Sequence, residues 1–169
     1  VEDCYLKYSR PIEKGTYKEP NAFHIKGTNR LAGDVGVNTL LIPVKEIKAL
    51  CQKENVSVGE YLAALVLWSI RQAYVPASGS KKPVNLFVPV NLRRIFNDDT
   101  SLNFFSGITV SNQFEGGTSD FTRILEQTKK QFAEKCTRDV FERKLAYTAQ
   151  SERNLFTRII PLPIKNGVL

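Results

Sequence analysis

Two runs of this sequence, VNLFVPVNLRRIF (Val84–Phe96) and LNFFSGITV (Leu102–Val110), end or begin in polar residues spaced for work at a surface. Asn91 and Arg93 stand where the first run leaves its apolar stretch; Asn103 and Ser106 stand where the second enters its own. If the two runs are neighbouring strands, these four side chains gather near one end of a sheet, where amides, a guanidinium and a hydroxyl can line a pocket. Gly107, inside the second run, marks a bulge or the close approach of another group. The same spacing admits a plain structural reading. Asn91 and Asn103 then cap turns, Arg93 pairs with Asp98 or Asp99, and Gly107 makes room for a bulky neighbour. Spacing alone leaves both readings open.

Other chemistry is sparse. The single histidine, His24, lies between Phe23 and Ile25 at the start of a strand-like run, with no G-x-S-x-G elsewhere to supply a nucleophile. It reads as structural or exposed. The three cysteines, Cys4, Cys51 and Cys136, form no C-x-x-C and have no histidine at ligand spacing, so no metal site is expected. An odd count without a framework suits a reducing cytoplasm. There is no G-x-x-x-x-G-K and no G-x-G-x-x-G. Gly116-Gly117 precedes a predicted helix, whose first amides could in principle hold an anion, though a strand-to-helix turn needs no ligand.

The elements that must position these residues follow from periodicity. Residues 1–21 hold no sustained period and read as an extended linker. Phe23–Lys26 reads as a short strand. Val35, Val37, Thr39 and Leu41 alternate on one face of a strand that ends at Pro43. A short helix runs from Pro43 to about Asn55, burying Val44, Ile47, Leu50 and Cys51. Ser57-Val-Gly-Glu60 has the capping-box pattern. It opens a central helix with Val58, Leu62, Leu65, Val66, Ile70 and Ala73 inward. Val84–Val90 is a strand with both faces covered, Phe87 backing the valines and leucine. Asn103–Ser111 is the next strand. Thr118 or Ser119 caps a helix burying Phe121, Ile124, Leu125, Thr128 and Phe132. Asp139 begins another, with Phe141, Leu145, Thr148, Leu155 and Phe156 inward. The expected class is α/β (α+β), a mixed sheet flanked by helices in the order β-α-α-β-β-α-α.

With 169 residues, 42% of them hydrophobic, the chain is long enough for one domain with a real core. Its longest apolar run, Tyr61–Ile70, is about half of what crosses a bilayer, and with no charged-then-apolar segment and cleavage site at its start, no secretory signal is expected. The net charge of +7 is dispersed. From Asp120 to Arg158, Lys and Arg alternate with Asp and Glu, which argues for solvated helix faces and against a nucleic-acid stripe. The chain starts at Val, holds no Met and stops in the apolar IIPLPIKNGVL, which predicts a piece of a longer protein.

Four stretches carry a resemblance: VNTLLIPVKEIKALCQKENVSVGEYLAALVLWSI, VNLFVPVNLRRIF, LNFFSGITV and IIPLPIKNGVL. In this order the chain resembles the second half of the chloramphenicol acetyltransferase-like superfamily, which includes the condensation domains of peptide synthetases. The nearest likeness is to its bacterial alcohol-acetyltransferase-like branch. The resemblance implies two similar half-domains with a tunnel between them. A thioester on coenzyme A or a carrier protein enters from one side, and an alcohol or amine acceptor from the other. It also implies a catalytic histidine in H-H-x-x-x-D-G, which this chain lacks; His24, followed by Ile-Lys-Gly, does not match. The motif is expected upstream of Val1, with 1–21 as the linker from that lobe, 22–169 as the C-terminal subdomain, and closing strands beyond Leu169. On this view the chain has no catalytic residue of its own and binds no cofactor tightly. Asn91, Arg93, Asn103 and Ser106 line the tunnel, and the exposed interface invites homo-oligomers. A non-catalytic docking module of the same superfamily is the alternative.

Overall fold

A computed structural model describes residues 3–9, 21–26, 37, 39–117 and 120–153. Its elements are α1 (Cys4–Lys7), α2 (Val44–Lys53), α3 (Val58–Tyr74), β1 (Val84–Asn91), α4 (Arg93–Phe96), β2 (Phe105–Asn112), α5 (Phe121–Lys135) and α6 (Arg138–Arg153). The class is mixed α/β: among the described residues, six helices accompany one antiparallel sheet of two strands, β1 and β2. Leu92 N–H donates to Phe104 O (3.1 Å) at the base of this pair. That bond sets a register in which Asn91 lies opposite Phe105 and Val84 opposite Asn112.

The chain divides into two compact units. One comprises Val1–Lys18, Pro89–Gly107 and Lys135–Leu169; the other comprises Glu19–Val88 and Ile108–Glu134. The first has an aromatic centre. Phe96 and Phe104 pack at 5.5 Å, Tyr8 lies 4.5 Å from Phe96, and Tyr5 meets Phe104 edge-on. The Arg138 guanidinium sits 5.2 Å from the Phe96 ring. Leu92, Phe141, Leu145, Ala146 and Ala149 complete this core.

The second unit is organised by α3. Ser57 Oγ accepts from Glu60 N–H (3.2 Å) while Glu60 Oε2 accepts from Ser57 N–H (2.6 Å), so the capping box read from sequence is present. Ala63, Ala64 and Leu67 are buried, together with Ile108, Val110, Phe114, Ile124 and Leu125. Burying a leucine such as Leu67 contributes about 1.5–3 kcal/mol. Phe121 meets Tyr61 and Trp68 edge-on. The helix ends where buried Arg71 donates to Val75 O (2.9 Å), Pro76 O (3.2 Å) and Gly117 O (2.7 Å), collecting carbonyls that the helix terminus and the following loop leave open. Gly79, at φ +87°, approaches so closely that a Cβ would stand 2.6 Å from Phe114 O.

Several expectations need correction. Val37 and Thr39–Pro43 form no strand; Val37 is 81% and Leu41 89% exposed. β-propensity without a partner backbone makes no ladder, and none of the described residues pairs with them. Phe23–Lys26 is likewise not a strand, though Phe23 N–H donates to Pro83 O (2.8 Å). Within the stretch expected to be extended, Cys4–Lys7 makes a helical turn capped by Asp3. The buried stripe of α3 is Ala63, Ala64, Leu67 and Arg71, while Leu62 and Val66 lie open at 38% and 43%. Small alanines admit close approach of a neighbour, and the stripe is therefore rotated from the larger apolar residues. Phe87 is 63% exposed, so β1 is covered on one face only. Thr148 is exposed on α6. α4 stands where only a turn was expected, and the observed order begins with helices. Thr118, Ser119, Leu155 and Phe156 lie outside the described residues.

Candidate functional site

The region read as a working surface is the β1–α4–β2 connection, within the first unit. Asn91 ends β1, exposed, and its Oδ1 accepts from Arg93 N–H (3.1 Å), a turn-forming bond. Arg93 opens α4. Its Nε donates to Thr100 O (2.9 Å) and its Nη2 to Leu102 O (2.7 Å), so the guanidinium staples the loop that returns to β2. It does not use Asp98 or Asp99 for this. Asn97 ends α4 in the left-handed region (φ 53°), a conformation asparagine tolerates, and its N–H reaches Arg93 O. Asn103 is exposed just before β2, and Ser106 is half-buried within it. In the observed register Asn91 shares a sheet face with Phe105, and Ser106 lies on the opposite face with Val90. The four candidates thus occupy one connection but not one face. Asn91 and Arg93 serve the turn, whereas the Asn103 amide stands in solvent.

The strongest electrostatic feature here is Asp98, expected from spacing only as a candidate partner of Arg93. Its carboxylate accepts from Tyr8 OH (2.8 Å), Lys7 Nζ (3.0 Å), Thr100 N–H (3.0 Å) and the Cys4 thiol (3.6 Å). The hydrogen bond from Tyr8, followed by that from Lys7, holds its pKa down at about 2 against an ordinary 3.8. The same contact raises the Tyr8 phenol, because the neighbouring carboxylate hydrogen-bonds its protonated form. A carboxylate engaged by four donors is poorly placed to take a further proton. It is an anchor that fastens α1 to the α4 loop. No local signal marks it: Tyr8 and Asp98 are 90 residues apart.

In the second unit a shallow, open cleft of about 70 Å³ lies beside the start of α5, lined among others by Asn112, Glu115, Asp120, Arg123 and Gln127. Asn112 Nδ2 donates to Gln127 Oε1 (2.8 Å). The anion that the first amides of α5 could accept is supplied internally, since Asp120 Oδ1 takes the Thr122 N–H (3.1 Å). His24 is exposed. Among the described residues no group of His, Cys, Asp or Glu could hold a metal ion, and no helix is long and apolar enough to cross a membrane. None of Cys4, Cys51 and Cys136 forms a disulfide. No family model, no curated protein and no solved structure matches the chain.

Proposed function

We propose that this chain is one wall of a thioester-dependent acyltransferase, the C-terminal subdomain of a chloramphenicol acetyltransferase-like protein whose general base belongs to a preceding lobe. The observation that carries the proposal is the apolar surface of the second unit. Val37, Leu40, Leu41, Ile42 and Val44 are exposed in a row, and Leu62 and Val66 of α3 lie open as well. Apolar surface on this scale is characteristic of a covered interface. The only histidine is solvent-exposed, and the Asp98 carboxylate is engaged by four donors. On this reading the acceptor's proton goes to the histidine of the preceding lobe, as the resemblance implies.

On this proposal an alcohol or amine attacks the carbonyl of an acyl-coenzyme A or acyl-carrier thioester. The lobe's histidine takes the acceptor's proton and the thiol departs, while this chain holds donor and acceptor in line. The Asn103 amide and the Ser106 hydroxyl are the lining groups, and Asn91 and Arg93 shape the loop that presents them. Condensation-type lining of this kind binds its substrate thioester transiently and keeps no cofactor.

Acyl transfer measured with the chain alone, and with the separately expressed preceding lobe added, tests this. We expect no thioester cleavage by the chain alone and turnover on mixing. Cleavage by the chain alone that disappears in His24→Ala would overturn it. Turnover of the lobe unaffected by adding this chain would do so equally.

A further inference from the structure

Among the described residues, the outer edge of β2 meets side chains at three outward positions and no third strand. In an antiparallel ladder, every second residue of an edge strand points its N–H and C=O away from its partner. With Phe104 bonded to Leu92, those residues in β2 include Phe105, Gly107 and Ser111. Each has a partner from a helix. Tyr5 OH of α1 donates to Phe105 O (2.9 Å) and accepts from Phe105 N–H (3.1 Å). Lys144 Nζ of α6 donates to Gly107 O (2.8 Å). The Gln131 amide of α5 accepts from Ser111 N–H (2.9 Å) and donates to Ser111 O (2.8 Å), which is the two-bond pattern of a peptide group in a neighbouring strand.

The two strands differ in how much they need such cover. β1 carries Pro89 at an outward position, and a residue without an N–H blocks strand addition there. β2 reads FSGITVSN, with no proline and no charge, the composition that pairs readily with another copy of itself. We propose that Tyr5, Lys144 and Gln131 form a surrogate third strand that closes the β2 edge against antiparallel pairing with the β2 of a second copy.

Hydrogen exchange resolved at single amides, read together with light scattering over a concentration series, tests this. Tyr5→Phe deletes one hydroxyl and Gln131→Leu one amide. In the combined variant at low concentration, the Phe105 and Ser111 amides should exchange about tenfold or more faster than in the unchanged chain, the loss of one hydrogen bond each. As concentration rises, these amides should regain protection while the scattering mass increases. Adding Ser111→Pro, which places a proline at an outward position, should return association to the level of the unchanged chain. Unchanged exchange at Phe105 and Ser111 would overturn the proposal. So would extra association that survives Ser111→Pro or that protects only Leu40–Val44. Should the combined variant fail to fold, Tyr5→Phe alone, read at the Phe105 amide, decides between the same two outcomes.

Discussion

Asp98 draws Cys4, Lys7, Tyr8 and the Thr100 amide to one carboxylate, and its ionisation is therefore tied to folding. Its folded pKa lies below the ordinary value, so the stabilisation is complete above about pH 4 and is lost as pH falls toward about 2. We expect Asp98→Asn to lower the thermal midpoint at pH 7, and the gap to the unchanged chain to close across that acid window. A gap independent of pH between 2 and 5 would show that the anchor is not electrostatic. The sign reverses for Tyr8. Its phenol titrates above 10.0, so its contribution holds below pH 10 and fades as pH rises through the higher folded value. Thr128 is an opposite case, fully buried with an Oγ1 that has no hydrogen-bond partner among the described residues. Thr128→Val keeps the shape and removes the unpaired hydroxyl. Denaturant unfolding should show a gain of up to about 1 kcal/mol, and a loss would mean the hydroxyl has a partner in solution. Asn91 was legible as a turn residue because its partner is two positions away, whereas Arg93 was expected to pair with Asp98 or Asp99 and instead holds the Thr100 and Leu102 carbonyls. Asp98 was not legible as an anchor, because its partners at Cys4, Lys7 and Tyr8 are brought to it only by folding.

At the scale of elements, local signals were read well and faces less well. The Ser57–Glu60 box is a property of four consecutive residues, and the helix it opens is present from Val58. Ser57→Ala should cost about 1 kcal/mol of stability by chemical denaturation, with Glu60 losing its reciprocal partner as well; a change near zero would place the start of α3 under tertiary control. The strands at Val84 and Phe105 and the two closing helices also stand near their expected positions. The buried face of α3 was misplaced because apolar residues nearly surround that helix, and a moment drawn from side-chain size points toward Leu62 and Val66. Which arc is buried depends on what packs against it, and α5 meets α3 through Phe121 against Tyr61 and Trp68. The strand expected before Pro43 fails for a related reason. Alternating Val37, Thr39 and Leu41 satisfy the period of a strand, but a strand exists only when another backbone pairs with it.

For the molecule as a whole, the open question is what meets the apolar surface from Val37 to Val44. We expect self-association of the isolated chain at high concentration, weakened when Leu40→Ser and Leu41→Ser are combined, by static light scattering. If the double variant associates as strongly, that surface is not the cause. Because β1 has Pro89 and β2 has its side-chain partners, the strand edges should contribute little to association in the unchanged protein. By itself the sequence determined what depends on neighbours in the chain. It set the capping box, the helix periods, the strand-forming runs, the absence of metal-ligand spacing, and the lack of a histidine motif for proton transfer. Only the tertiary structure decided which of those surfaces are covered, that Asp98 is an anchor, and that helices close the edge of β2. Burial and hydrogen bonding at those places come from groups far apart in sequence, and their meeting is a consequence of the packed fold that no local pattern encodes.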